Sequence, residues 1–218
     1  MKKSKVLALV LAGTLVVGVV GGTLAWFTSQ DSVKNTFQTG TILEPDNNDG
    51  VDIYEEFVPP TNVLPGTETT KAVQVKNTSS FDTFIRVKLT PKFVSAMDGV
   101  NVDDLDVNMI ELNFENNLGQ EDGKWLDGGD GYYYFMGRVG AGTFTNKLLE
   151  SVTLATAADN NYRGVEFEVL VEAESIQADN DAHVDAWTTS PAATARLNTL
   201  AGQAPTNIAQ EPGTSATN

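Results

Sequence analysis

The side chains that most often carry catalysis are scarce in this chain. Its 218 residues include one histidine, His183, and no cysteine. A zinc-binding H-E-x-x-H helix needs two histidines, and a Ser-His-Asp triad would have to use this one. His183 lies between Asp181 and Asp185 in a polar stretch, which favours a solvated surface position. The sequence also lacks a nucleophile elbow, a Walker loop and a dinucleotide fingerprint. We therefore predict that the protein is not an enzyme.

Carboxylates, in contrast, are abundant. A glycosidase uses two of them across a cleft, but only composition supports that alternative. The segments 46–52, 98–106 and 127–130 are rich in Asp and Asn, whose oxygens hard cations prefer as ligands. Asp, Asn and Gly are also the usual residues of turns. We interpret these segments as turns and predict no cofactor, with calcium as the alternative.

The N-terminus has the layout of a secretory leader. Three lysines within the first five residues precede an apolar run over residues 6–20. The small residue Ala25 then precedes Trp26, which predicts a signal peptide over residues 1–25 with cleavage between these two residues. An uncleaved anchor is the alternative, because no charge follows the lysines until Asp31 and about 20 residues suffice to span a bilayer.

Export changes the charge of the chain. The leader holds three of the 14 basic residues and none of the 29 acidic ones, so the mature chain carries 11 against 29, a net charge of −18. This charge repels phosphate backbones and excludes nucleic acid as a partner. Without cysteine, the exported domain cannot rely on disulfides and must be stabilised by its own core or by neighbours.

Alternation of apolar and polar residues predicts an all-β fold. The clearest case is 165–173, where apolar residues on one face alternate with glutamates on the other. Further strand patterns cover residues 71–75, 83–89, 109–114, 131–138 and 151–154. Pro, Gly, Asn and Asp lie between them, and amphipathic helices are not evident, which together indicate an antiparallel sandwich.

Two segments interrupt this pattern. The acidic segment 98–106 is predicted to be a loop or short helix inserted between strands. Residues 188–218 are rich in Ala, Thr, Ser, Asn, Gln and Pro, and they predict a disordered, low-complexity tail. The predicted organisation is therefore a signal peptide (1–25), a β-sandwich domain (26–187) and a tail (188–218).

Three stretches, taken together and in order, carry a family resemblance. The first runs from the leader junction through Asn35, Phe37, Gly40 and Ile42. The second is the turn at Pro65 with the strands 73–77 and 84–89, and the third comprises 130–135, 143–152, 169–180 and Trp187. The set resembles the TasA/camelysin-like family of exported proteins, in a clostridial-type branch.

The resemblance implies a jelly-roll-like sandwich that is secreted and acts in the extracellular matrix of a biofilm or on the cell surface. It implies a leader cut by a dedicated membrane signal peptidase of the SipW type. It further implies self-assembly into fibres, or assembly with other matrix proteins, by insertion of the freed N-terminal strand into the next subunit. The candidate assembly residues are Trp26, Phe27, Val33 and Phe37. The alternative is that this segment is the first strand of its own domain. Some relatives carry a peptidase label, which the absence of a zinc-ligand pattern argues against here.

A different class of function remains as a hypothesis. A monomeric surface module that binds glycan or host protein would need an exposed aromatic platform. Trp125 and the run Tyr132, Tyr133 and Tyr134 are the candidates. Strand alternation places Tyr132 and Tyr134 on one face and Tyr133 on the other, so at least one face belongs to the core.

Overall fold

The computed structural model describes residues 28–35, 50–57, 64–96, 99–162, 164–187 and 189–206, the first of these segments as backbone only. The predicted signal peptide lies outside the described residues, as do Trp26, Phe27 and Phe37. In the described part the chain forms two packed antiparallel sheets. The all-β sandwich predicted from alternation is confirmed.

Nine strands build the two sheets of the described chain. They are β1 (Thr28–Asn35), β2 (Val51–Phe57), β3 (Glu68–Asn77), β4 (Thr83–Ser95), β5 (Ile110–Asn113), β6 (Trp125–Asp127), β7 (Tyr133–Phe135), β8 (Ser151–Leu154) and β9 (Glu166–Gln177). The five-stranded sheet has the order β1-β9-β4-β7-β6, and the four-stranded sheet has the order β2-β3-β8-β5. Each of the strand patterns predicted from the sequence falls on one of these strands.

The strand order is that of a jelly roll. The connections β3 to β4, β4 to β5, β7 to β8 and β8 to β9 each cross from one sheet to the other. Several neighbours within a sheet are therefore distant in sequence, as in the pairs β1 with β9 and β3 with β8. Such crossing connections between two antiparallel sheets define the double-sheet jelly-roll architecture.

The main core lies between the sheets and follows the alternation of the strands. In β9, Phe167, Val169 and Val171 are buried on the inner face. Trp125 is fully buried among them, and its indole Nε1 donates a hydrogen bond to the carbonyl of Asn146 at 3.1 Å. A fully buried apolar side chain of this size contributes roughly 1.5–3 kcal/mol relative to an exposed one. This core therefore holds the sandwich together without any disulfide.

A second core covers the outer face of the five-stranded sheet. Two helices, α1 (Ala182–Ala186) and α2 (Pro191–Leu200), pack there. The sheet contributes Phe84, Tyr134, Met136 and Ile176, and the C-terminal segment contributes Trp187, Ala193, Leu197 and Leu200.

The prediction of a disordered tail from residue 188 is therefore wrong for residues 189–206. The helix α2 begins at Pro191 behind the N-cap Ser190, whose hydroxyl accepts a hydrogen bond from the Ala193 N–H at 3.3 Å. At its far end, Arg138 Nη1 donates to the carbonyl of Ala201 at 2.6 Å. The Thr206 N–H donates in turn to the carbonyl of Arg138 at 2.8 Å. Residues 207–218 lie outside the described chain.

The acidic segment after β4 forms two short 3₁₀ turns, Val102–Asp104 and Val107–Met109. The side chains of Asn101 and Asp106 accept backbone hydrogen bonds at the starts of these turns. The prediction of a loop or short helix between strands is thus confirmed for residues 99–106.

Candidate assembly site

The first strand, β1, is the outermost strand of the five-stranded sheet. Within the described chain its ladder partner is β9, with Thr28 opposite Ile176 and Asn35 opposite Val169. Its sequence, TSQDSVKN, contains one strongly apolar residue, Val33, which lies opposite Val171. A strand so poor in apolar residues has little side-chain burial to gain. Its pairing therefore depends chiefly on main-chain hydrogen bonds.

The strand β9, which pairs with β1, is paired with β4 on its other side. β4 pairs with β9 along its whole length, from Thr83 opposite Gln177 to Ser95 opposite Glu166. Val169, Val171 and Ala173 of β9 are completely buried in the main core. β9 is therefore fully paired with β4 on one side, and the eight-residue β1 pairs with its other side.

Only part of the predicted assembly segment can be placed. Val33 lies in β1, whereas Ala25, Trp26, Phe27 and Phe37 lie outside the described residues. In the single chain, residues 28–35 pair with the chain's own β9, which is the alternative that the sequence left open. Strand exchange between chains and the cleavage site stay predictions.

Three cross-strand ion pairs reinforce the β4–β9 ladder on the outer face. They are Arg86–Glu174 at 2.5 Å, Lys88–Glu172 at 3.9 Å and Lys92–Glu168 at 2.7 Å. The sequence predicted a half-buried strand with glutamates on its outer face. Of these glutamates, Glu168 is fully buried. The cations on β4 compensate the glutamates and favour the observed register of β4 against β9.

Arg86 is the centre of an aromatic cluster beside this ladder. Its guanidinium lies 4.0 Å from the ring centroid of Tyr132 and 4.6 Å from that of Trp187. Its Nε and Nη2 both donate to Glu174 Oε2, at 2.8 and 2.5 Å. The Tyr132 hydroxyl donates to the other oxygen of Glu174 at 3.1 Å. Two of the three stretches that carried the family resemblance thus meet in one packed, charge-compensated cluster.

The tyrosine hydroxyls of this cluster are protected from ionisation. Burial, together with the negative charge of Glu174, raises the pKa of Tyr132. Burial raises the pKa of Tyr134 as well, and the hydrogen bond from its hydroxyl to Asp130 Oδ2, 2.8 Å long, raises it further. Both groups therefore act as hydrogen-bond donors and not as bases at neutral pH.

The aromatic platform required for a glycan-binding module is not formed by the predicted residues. Trp125 and Tyr134 are fully buried, and Tyr133 packs against Phe114 with ring centroids 5.0 Å apart. Tyr132 is half-buried against Arg86. The alternation was predicted correctly, but both faces are covered because helices pack over the outer one. The prediction of an exposed platform is wrong for these residues.

His183 is also not where the sequence placed it. It is fully buried in the second core, with its ring edge-on to Phe84 at 5.1 Å. Its Nε2 lies 2.7 Å from Asn198 Oδ1. The interpretation as a solvated histidine is wrong because α2, which the sequence did not reveal, covers this position. The histidine joins α1 to α2.

Several acidic turn residues are engaged by the backbone. Asp127 Oδ1 accepts from the Gly129 N–H at 2.9 Å, and Asp130 Oδ1 accepts from the Tyr132 N–H at 3.1 Å. These bonds are typical of Asx turns. Over the described ranges, no group of three or more His, Cys, Asp or Glu side chains is placed to hold a metal ion. The alternative of a calcium site stays untested.

The fold is a jelly-roll-like sandwich in which β1 is the outermost strand of one sheet and pairs with β9. A family model described as camelysin metallo-endopeptidase matches residues 1–127 of the chain, which is more than half of it, and the chain belongs to this family. The resemblance to TasA/camelysin-like proteins is confirmed. Comparison with curated proteins and with solved structures gives no match. In the described part, no helix has the length and apolarity needed to cross a membrane.

The family description implies a catalytic metal, and the described residues do not fit one. The one histidine is buried between Phe84 and Asn198, and within the described residues its side chain meets no carboxylate. A zinc-peptidase site needs several such ligands around an open position. No peptidase step is therefore derived from these residues.

Proposed function

We propose that this protein is an exported structural component of the extracellular matrix or cell surface, and that its subunits join by β-strand addition. The observation that carries the proposal is the pairing of β1 with β9. A polar strand is held at a sheet edge chiefly by main-chain hydrogen bonds, which any copy of the chain can make equally well. Membership of the camelysin family and the predicted leader support export.

In this proposal, a membrane signal peptidase cuts between Ala25 and Trp26 and frees the N-terminal segment that contains β1 and Phe37. The freed strand leaves its own β9 and pairs with β9 of the next subunit, where Trp26, Phe27, Val33 and Phe37 add side-chain packing. The main-chain bonds are the same within and between chains, so their energies nearly cancel. Protein concentration and the extra aromatic packing then decide between monomer and polymer.

The charge of the mature chain opposes this association. Subunits with a net charge of −18 repel one another over roughly 8–10 Å at moderate salt. Protonation of carboxylates or added salt weakens this repulsion. We therefore expect assembly to increase as the pH falls below neutrality or as the ionic strength rises.

The cysteine-free sequence allows a direct test by crosslinking. In the double variant Val33→Cys with Val171→Cys, the new thiols lie at opposed positions of the β1–β9 ladder. We expect oxidation of assembled material to produce a ladder of covalent multimers. We also expect oxidation of the dilute monomer to lock β1 within its own chain and to stop assembly. An off-register pair, Asp31→Cys with Val169→Cys, is the control and should give neither result.

The outcome separates the two alternatives. Intrachain disulfides alone, in material that electron microscopy shows to be assembled, would overturn strand exchange. A mature chain starting at Trp26 that stays monomeric in sedimentation at high concentration, mildly acidic pH and raised salt would overturn self-assembly.

The same proposal includes the absence of peptidase activity. It is supported by the single histidine and by its burial against Phe84. The mature chain incubated with casein and zinc should produce no cleavage that a chelator suppresses. Chelator-sensitive cleavage that co-purifies with the wild-type chain and is lost on His183→Gln would contradict it.

A further inference from the structure

A buried ion pair lies on the core-facing side of the β2–β3 hairpin. Lys71 lies opposite Phe57 in the ladder, and Glu55 lies opposite Val73. By alternation, these residues share the face that Val73 presents to the main core. The side chains of Lys71 and Glu55 are only 1% and 7% exposed. Burying both charges at this position is costly unless their hydrogen-bonding capacity is satisfied.

Within the described residues, the hydrogen-bonding capacity of Lys71 and Glu55 is not satisfied. Lys71 Nζ lies 3.0 Å from Glu55 Oε2, which is its one hydrogen bond to the described residues. Its other nearby group is the ring of Phe57, 5.9 Å from Nζ to the centroid. An ammonium group has three donors, so two have no acceptor among the described residues. In the described part of the chain, the buried Oε1 of Glu55 also lacks a hydrogen-bond partner.

This environment favours the neutral form of Glu55. Burial raises the pKa of Glu55, and this effect exceeds the lowering effect of the Lys71 charge. Transfer of one proton from the ammonium of Lys71 to the carboxylate of Glu55 removes two buried charges. It leaves an amine with a free lone pair 3.0 Å from an oxygen of a carboxylic acid.

We propose that Lys71 and Glu55 condense in the folded protein to an intramolecular isopeptide bond. The amine nitrogen of Lys71 forms a bond to Cδ of Glu55, and one C–O bond of the carboxylic acid breaks. The departing oxygen takes the acid proton and one amine proton and leaves as water. The reaction needs no oxidant, reductant or further reactant.

Condensation removes the groups that lack partners. The released water takes away one oxygen of Glu55, and the amide nitrogen keeps one N–H in place of three donors. Two groups held at contact distance also react at effective concentrations that are orders of magnitude above those in solution. The product ties the edge strand β2 covalently to β3, in an exported chain that has no cysteine for a disulfide. This inference does not depend on the proposed function.

Intact mass spectrometry of the purified mature protein tests the proposal. We expect the chain to be lighter than its sequence mass by one water. Digestion with trypsin and a glutamyl endopeptidase cuts the chain between residues 55 and 71. It should therefore yield a branched product in which the Glu55 peptide and the Lys71 peptide remain joined. This mapping excludes a succinimide at an Asp-Gly sequence as the source of the lost water.

Two variants complete the test. Lys71→Met removes the amine and should restore the full sequence mass. Lys92→Met is the matched control, because Lys92 also contacts a buried glutamate at 2.7 Å but is itself 47% exposed, and it should keep the mass loss. The proposal is overturned if the folded wild-type chain has its full sequence mass after prolonged incubation at neutral pH, or if the Glu55 and Lys71 peptides separate. Both of these readouts use the wild-type chain, so they stand even where Lys71→Met does not fold.

Discussion

The packing of α2 onto the sheet predicts a specific loss of stability for Leu197→Ala. Leu197 is completely buried in the second core. Removing the branched end of its side chain loses roughly 2 kcal/mol of transfer free energy, at about 0.8 kcal/mol per carbon. A cavity adds to this loss, so we expect the free energy of unfolding to fall by about 3 kcal/mol, inside the usual ~2–5 kcal/mol range. For a domain of this size that change corresponds to a melting temperature lower by roughly 6–12 °C.

Urea denaturation of the mature chain, followed by tryptophan fluorescence, measures this loss. Trp187 lies in the same cluster as Leu197 and reports on it directly. The matched control is Thr199→Ala on the exposed side of the same helix, which should change the free energy of unfolding by less than about 0.5 kcal/mol. If the two variants have equal stability, α2 does not pack on the sheet, and the disordered tail expected from composition would be correct.

Three further predictions concern the neighbouring contacts. Arg86→Lys should lower the free energy of unfolding by roughly 1.5–3 kcal/mol, because lysine cannot reproduce the two hydrogen bonds to Glu174 and the stacking on the rings. Thermal melts measure this loss. The control is Lys88→Met, which removes an exposed ion pair and should lower the free energy of unfolding by no more than about 1 kcal/mol. Above pH 10, the free energy of unfolding should fall less steeply with pH in Tyr134→Phe than in the wild type. The raised pKa keeps Tyr134 protonated in the folded state while the unfolded state ionises near pH 10, so wild-type stability falls as pH rises, and denaturation at stepwise alkaline pH measures the difference. Ser190→Ala removes the cap of α2 and should cost about 1 kcal/mol in urea denaturation, whereas Ser190→Asp should retain most of the stability.

The sandwich could be predicted because its strands alternate. In β9 the inner residues Phe167, Val169 and Val171 are buried as the pattern requires, and Glu166 is exposed. Alternation states which residues share a face, but it does not state what covers that face. Glu168 follows the polar pattern and is nevertheless fully buried, because burial of the outer face depends on tertiary packing.

The second core was missed for a related reason. The helix α2 buries only Ala193, Leu197 and Leu200, so its composition resembles that of a disordered segment. The signals that were present are the helical spacing of these three residues and the Ser-Pro start at Ser190. Without α2, nothing in the sequence indicated a cover for His183 or for Tyr134.

The order in which the jelly roll leaves the cell separates its two pairing strands in time. In the proposed export from the N-terminus, β1 crosses the membrane first, whereas β9, which completes its ladder, is the last strand of the described chain to emerge. During that proposed export, β1 has no β9 partner in its own chain until β9 has crossed as well. Pairings this distant in sequence also form slowly once the chain is complete. Under the proposed strand exchange, each new molecule passes through a period in which β1 and β9 are both available to other chains. The proposal therefore makes the rate of export, as well as the protein concentration outside the cell, a determinant of whether β1 pairs within its own chain or with a neighbour.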